Sequence, residues 1–465
     1  YQTKIKKKHN LDLLAGYEIN SKESDGLGTT ISNFARWDKP EVNNGVVYQS
    51  MGGSNSTTRI VSYITRANYD YDNKYYLGAS WRTDGSSRLA RENRWGNFWS
   101  LSGAWRVSSE SFMKPLQNWL SDLKLRVSYG VNGTLPSSYY GYMGLSSLTS
   151  NYNDNPGIKQ SQLENKELTW ETNYNFNSGI DLGFFDNRLN VTFEYYVRTT
   201  KNLLYSRPLS LATGFSSYLA NIGKLQNKGY ELEIRSTNIE TKDFRWSTSL
   251  NLGHNANKIL KLDGDLKQVT SGTSIHKVGL PYSTYYMIEF AGIDPVDGEP
   301  MFYKNTTDEN GNLNKETTKD PRSAEKVILQ CADPTITGGL GNSISYKWFD
   351  LNFNVNFSFG AWNYDGAAGK LEHGGDGTLN IPIYYRKRWQ KEGDETSIER
   401  FVVGRSISMT DYATTRRLYS GDYVRLKNLT FGFTLPKTWT RKVGIDNIRL
   451  YASGNNLLTW AAYDY

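Results

Sequence analysis

The chain has 465 residues, with 54 lysines and arginines against 47 aspartates and glutamates, a net charge of +7 spread over the whole length. No basic run or basic helix is long enough for a nucleic-acid footprint, so no nucleic acid is expected as a partner. One cysteine, Cys331, excludes an intrachain disulfide and a cysteine metal cluster; the four histidines lack metal-site spacing, and no run of about 18 apolar residues exists to make a membrane helix.

Aromatics make up 14% of the chain and there are 42 glycines, a mixture that favours strands and turns. The chain opens on YQTKIKKKHNLDLL, without a signal peptide, and reads as the interior of a longer polypeptide. Lys6-Lys7-Lys8 precedes an alternating stretch and reads as a solvated strand end or loop. In YLGASWR (76–82), Leu77, Ala79 and Trp81 alternate with Tyr76, Gly78, Ser80 and Arg82. The polar TDGSSR that follows is expected to leave the strand as a loop. Residues 107–122 suit a moderate turn with a helical piece. Period-two patterns recur at 123–130, 188–198, 246–253 and 448–453, and most cleanly at 351–359. There Leu351, Phe353, Val355, Phe357 and Phe359 oppose Asn352, Asn354, Asn356 and Ser358.

About a dozen such segments of roughly 8–11 residues fit the length a tilted strand needs to cross a bilayer. Tight connections (70–76, 184–189, 346–351) tend to alternate with long ones (about 84–97, 131–167, 199–227, 258–337 and 361–422). An outer-membrane barrel has short periplasmic turns and long external loops, whereas a soluble β-sandwich has no reason for that asymmetry. A charged side chain on the lipid face costs about 2–4 kcal/mol at the midplane. Leu123, Leu125 and Val127 should therefore face lipid, and Lys124 and Arg126 the lumen. Phe184, Phe185, Trp348 and Phe349 flank tight turns, as an interfacial girdle would. The backbone must be fully paired in hydrocarbon, which demands a closed barrel. The expected fold class is all-β: a transmembrane antiparallel β-barrel.

Several ordered blocks carry a family likeness: YLGASWRTDGSSR (76–88), FWSLSGAWRVSSESF (98–112), LSDLKLRVSYGVNG (120–133), residues 168–204, NIGKLQNKGYELEI (221–234), FRWSTSLNLGHNANKIL (244–260), GDYVRLKNLTFGFTLP (421–436) and NIRLYASGNNLLTW (447–460). In these the chain resembles the SusC/RagA-like TonB-dependent outer-membrane transporters of Bacteroidetes. The resemblance implies the C-terminal portion of a 22-stranded barrel, incomplete in this chain: residues 1–465 would be partial barrel, with plug and N-terminal domains absent. It also implies a SusD-like surface lipoprotein as a lid, drive from TonB-ExbB-ExbD through the missing N-terminal part, and a dimer of transporter–lipoprotein pairs. The substrate it implies is a bulky nutrient, an oligosaccharide first and an oligopeptide as the alternative. CADP (331–334) departs from the Gly-Asn-Pro-type sequence that family members often carry there.

No enzyme signature survives. The acids are scattered, and the glycines at 337–343 are not followed by a phosphate-loop pattern. Cys331 has no His or acid at a recognisable spacing. No cofactor is required. Asp294 and Asp297 in GIDPVDGEP (292–300) offer a few oxygens for a structural calcium, but without EF-hand spacing they read first as a turn. Asn352, Asn354, Asn356, Lys124, Arg126 and Glu194 are expected to keep the lumen wall wet. Trp95, Tyr139, Tyr140, Tyr142, Trp362 and Tyr364 are the candidate substrate-stacking residues in the loops, against the plainer reading that these rings pack the loops. HGG (373–375) and YYRKRWQ (384–390) add polar contacts. A passive porin, a surface glycan-binding protein and a soluble sandwich adhesin are the competing readings.

Overall fold

Antiparallel strands follow one another through the chain, and thirteen of them among the described residues are eleven residues or longer. The computed structural model describes residues 1–463 except 37, 149–150, 154, 263, 265, 310, 376–379 and 405–411. The principal strands are β1 (Gln2–Ile5), β2 (His9–Phe34), β3 (Gly45–Tyr71), β4 (Tyr75–Ser86), β5 (Trp95–Arg106), β6 (Leu120–Thr134) and β7 (Glu171–Phe184). They continue as β8 (Leu189–Lys201), β9 (Lys224–Glu240), β10 (Phe244–Lys261), β11 (Ile336–Tyr346), β12 (Phe349–Phe359), β13 (Tyr423–Thr434) and β14 (Arg449–Ala461). The chain forms two compact units: Tyr1–Glu110 with Leu125–Ser178 and Arg198–Lys224, and Ser111–Lys124 with Gly179–Val197 and Leu225–Tyr465.

Connections alternate in length as expected from the sequence. Residues 6–8, 72–74, 185–188, 241–243 and 347–348 make short turns, while 135–170, 202–223, 262–335 and 360–422 are long. Asp72 and Asn73 both have positive φ (55° and 52°), the backbone a tight hairpin turn needs to match strand twist, and Asp and Asn tolerate it best. The expected helical piece after Arg106 is two 3-10 segments, Val107–Ser109 and Ser111–Leu116.

In the first unit, β2 pairs with β3 from His9↔Tyr71 to Phe34↔Gly45, and β3 pairs with β4 from Ile60↔Ser86 to Tyr71↔Tyr75. Residues 22–34 and 45–59 therefore project past β4 as a two-stranded ribbon. No period-two pattern marks this stretch, because Gly26, Gly28, Gly52 and Gly53 with their serines and threonines read as loop. The strand at Tyr75 also outruns its expected end. TDGS stays in β4, with Asp84↔Gly96 and Gly85↔Trp95 on the β5 ladder, so the connection expected at 84–97 shrinks to 87–94. The other long connections shift by a few residues and carry structure of their own. A hairpin of Leu204–Pro208 with Ser217–Asn221 and small sheets within 262–335 fill them.

In the first unit exposure sorts the two faces. Along β4, Leu77 (62% exposed) and Trp81 (43%) are open, while Gly78, Ser80 and Arg82 are more covered. Leu125, Val127 and Tyr129 on β6 are likewise exposed, with Arg126 and Ser128 between them less so. In the second unit register rather than exposure defines the apolar face: Leu250, Leu340, Val355 and Leu426, all half-buried, lie side by side across four strands. The opposite face carries Asn251, Gly339, Asn356 and Arg425. Leaving one large apolar side chain in water forfeits about 1.5–3 kcal/mol, so the exposed apolar positions of β4 and β6 argue against a soluble sandwich and fit hydrocarbon. Asn342 and Thr248 are polar residues on the apolar face. Trp246 Nε1 (2.9 Å) and Thr248 Oγ1 (2.8 Å) both donate to the Asn342 carbonyl oxygen, which keeps it satisfied there.

Candidate functional site

Aromatic rings cap the apolar face at both ends. In the first unit His9 lies 5.0 Å from Tyr71, Tyr71 stacks on Tyr75, and Tyr75 on Trp105, each pair at 6.4 Å. Eight residues up the strands, Tyr17 lies 5.1 Å from Tyr63, and Tyr63 stacks on Trp95 at 6.3 Å. Eight steps are about 26 Å along a strand, or about 20 Å of height at a tilt near 40°. In the second unit Phe349 contacts Phe431 (5.9 Å) and Phe433 (4.9 Å) at the short-turn end, and Phe357 contacts Phe359 (5.7 Å) at the other. The ten steps of β12 give about 25 Å of height, the thickness of an outer-membrane apolar band.

The polar face is the other half of the site. In the second unit a groove of about 940 Å³ is lined by Thr192, Glu194, Glu231, Glu233, Arg235, Asn251, Asn354, Asn356 and Tyr423, among others. A smaller one of about 310 Å³ adds Asn352, Asn190 and Arg188. The expected wall residues Glu194, Asn352, Asn354 and Asn356 thus do meet on one surface. Cross-strand hydrogen bonds hold the same face: Asn428 to Asn455 (2.9 Å), Thr430 with Ser453 (3.1 Å) and Arg425 to Thr459 (3.0 Å). In the first unit Arg82 donates to Asp84 (2.6 Å) and Ser62 (2.8 Å). Such a surface offers amide, hydroxyl and carboxylate partners to whatever faces it.

The six candidate stacking residues do not form one cluster. Trp95 does not lie in a loop as expected: it opens β5 on the apolar face, its ring covering Gly85, where an added Cβ would sit 2.8 Å from the indole. It belongs to the aromatic cap rather than to a loop. Tyr139 lies edge-on to Tyr140 at 6.5 Å and takes the Arg88 guanidinium 4.4 Å from its ring centre. Tyr140 Oη accepts from the Thr57 amide at 2.9 Å. Tyr142 packs on the buried cluster of Leu89, Phe98, Val131, Leu168 and Trp170. Trp362 and Tyr364 sit in the short strand Trp362–Tyr364 paired with Leu418–Ser420, and the Tyr364 amide donates to Tyr285 Oη at 3.2 Å. All five rings are half-buried.

The connection 360–422 hides what the sequence did not flag, a buried charge cluster. Glu399 is fully buried and pairs with Arg416; Arg417, 2% exposed, donates to Glu372 at 3.1 Å. The Tyr384 hydroxyl bonds Glu372 and that of Tyr385 bonds Glu399 (3.3 Å). Burial, with the nearby glutamates, pushes both phenols well above the usual range. HGG and YYRKRWQ are therefore largely structural: His373 is 3% exposed, its Nδ1 accepting from the Gly375 amide at 3.2 Å, and the Trp389 indole lies against Gly298. The only sequence signal was the paired YY and RR, which periodicity does not rank.

Asp294 and Asp297 already hold a cation. Lys319 Nζ sits 2.6 Å from one and 2.7 Å from the other, and its hydrogen bonds hold both carboxyls below their usual range. Lys319 occupies the place a calcium ion would take. Cys331 ends the strand Lys326–Cys331, and burial pushes its thiol up, away from nucleophilic use.

Comparison with known proteins agrees with this geometry. The TonB dependent receptor-like β-barrel family model matches residues 2–457. TonB-dependent receptor P3 of Formosa agariphila is 34% identical over 98% of this chain and 46% of its own length. TonB-dependent receptor SusC of Bacteroides thetaiotaomicron is 31% identical over 85% of the chain and 40% of its length. The structure of the RagAB peptide transporter superposes with a TM-score of 0.84 at 29% identity, covering 100% of this chain and 51% of that one. The chain thus spans about half the length of the relatives it matches. It belongs to the TonB-dependent receptor β-barrel family, in its SusC/RagA-like branch.

Proposed function

We propose that this chain supplies part of the transmembrane barrel of a TonB-driven outer-membrane importer of a bulky nutrient, and that the nutrient is an oligopeptide. Family members are transport proteins rather than enzymes. The observation that carries the peptide reading is the likeness, over the whole of this chain and 51% of that one, to the RagAB peptide transporter. The polar groove supports it, since carboxylates, an arginine and asparagine amides suit a peptide backbone and its termini.

The oligosaccharide reading comes second. It rests on the rings of the long connections, and Tyr139, Tyr140, Tyr142, Trp362 and Tyr364 are half-buried with partners of their own. In this proposal the long connections lie outside the cell under a SusD-like lipoprotein. The intact protein would contain the plug and TonB-binding segment of a 22-stranded barrel, be driven by TonB-ExbB-ExbD and pair into a dimer of transporter–lipoprotein units.

The test is uptake of fluorescent oligopeptides and oligosaccharides by cells carrying the intact transporter, with and without TonB. TonB-dependent accumulation of peptides is the expected result. Accumulation of glycans alone overturns the substrate, and uptake that persists without TonB favours a passive porin.

A further inference from the structure

The short-turn end of the second unit has an unusual charge pattern. Trp119 O accepts from the Phe185 amide, Arg188 O from the Thr237 amide, Asp243 O from the Lys347 amide, and Trp348 O from the Thr434 amide. These bonds tie each turn to the neighbouring turn or strand end along one rim. Residues 111–119, 185–188, 241–243, 347–348 and 435–448 together hold seven lysines and arginines against three aspartates. The long connections of the same unit have the opposite balance, with sixteen basic residues against twenty-one acidic over 262–335 and 360–422.

Lys114, Lys242, Lys347, Lys437, Arg441 and Lys442 are all exposed, and none forms an ion pair among the described residues. Between them stand exposed rings: Trp119 (46%), Trp348 (47%) and Trp439 (58%). Lys347 Nζ lies 5.4 Å from the Tyr346 ring on the apolar face, so this cation sits at the edge of the hydrocarbon band. Indoles sit at the headgroup level of a bilayer, and unpaired cations beside them face the phosphate layer. Each such cation is drawn to an anionic surface and not to a zwitterionic one.

We propose that this rim is a binding belt for anionic phospholipid headgroups, phosphatidylglycerol-like or cardiolipin-like, in the leaflet facing the short turns. The chemistry shared by these lipids is a phosphodiester without a compensating cation, and the rim supplies the cations. The belt rests on the reading that the strands span an outer membrane, and it goes beyond that reading by naming the leaflet chemistry.

The intact protein, reconstituted in vesicles of phosphatidylcholine with one-fifth phosphatidylglycerol, is extracted with its retained lipid, which is then assayed by headgroup. The ratio of phosphatidylglycerol to phosphatidylcholine in the retained lipid should exceed the bulk ratio on the order of five-fold. The charge-neutral variant K242Q/K347Q/K437Q/R441Q/K442Q should float with the vesicles as the parent does and lose that enrichment. Equal headgroup composition for parent and variant, in protein that floats, overturns the belt while leaving the membrane reading intact. Failure of the parent to float overturns both. Enrichment unchanged in the variant, with loss instead of a copurifying acidic periplasmic protein, assigns the rim to a protein partner and overturns the lipid proposal.

Discussion

Arg82 Nε donates to Asp84 Oδ1 across 2.6 Å, two residues along one strand, with Asp84 only 8% exposed. The pair lies on the polar face of β4, which is why a stretch as polar as TDGS continues a strand. Replacing Asp84 by Ala strips the guanidinium of its shortest acceptor while Ser62 and Glu18 remain. The expected loss is about 1–3 kcal/mol in urea unfolding of the intact protein in bilayers. An unchanged midpoint would mean the pair does not support the strand.

Faces can be tested by sign. Leu77→Arg places a charge in the exposed apolar band and should cost about 2–4 kcal/mol of folding stability. Ser80→Arg, on the polar face, gives up only the 2.7 Å contact with Ser100 and should cost about 1 kcal/mol. Equal penalties in a bilayer-folding assay would contradict the assignment of faces.

The charge cluster of connection 360–422 should behave as a buried pair. Glu399→Ala leaves Arg416 desolvated and is expected to cost about 3–5 kcal/mol, seen as faster proteolysis within the connection. The double variant Glu399→Leu with Arg416→Met should recover much of that, because two apolar side chains need no partner. If the single variant resists protease like the parent, the cluster does not pin the connection.

The turn at 292–300 should loosen in acid. Lys319 holds the carboxyl pKa values of Asp294 and Asp297 below the unfolded value of about 3.9. A depressed acid pKa contributes stability above the unfolded value, and that stability is lost as pH falls through the folded value. Hydrogen exchange of the Val296 and Glu299 amides, which donate to these aspartates, should accelerate relative to neighbouring amides below about pH 4. Lys319→Met should move that transition toward higher pH, and millimolar calcium should leave the parent unchanged. A calcium-dependent slowing would revive a metal at this turn.

Much of the barrel wall was legible in the sequence because a strand with one face in lipid and one in water must alternate. Residues 351–359 show it fully, and the register places Leu351 and Val355 opposite Ile344 and Leu340 as that alternation demands, with Asn342 opposite Phe353 a departure from it. Alternation could not find the ribbon of 22–34 and 45–59, where both faces are solvated and no apolar period arises. It also could not place a single ring. Trp95 in a polar context looks like loop, and only its register opposite Gly85 puts it beside Tyr63.

Sequence by itself determined the strand period, the alternation of short and long connections and the family blocks, because each is a local or ordered property of the chain. Tertiary structure alone decided which charges share a surface. Glu372, Glu399, Arg416 and Arg417 span 45 residues and meet only when the connection folds back on itself. Asp294 and Lys319 meet across a further turn. Pairing of charges depends on distance in space and on burial, and neither is written in the spacing of residues along the chain.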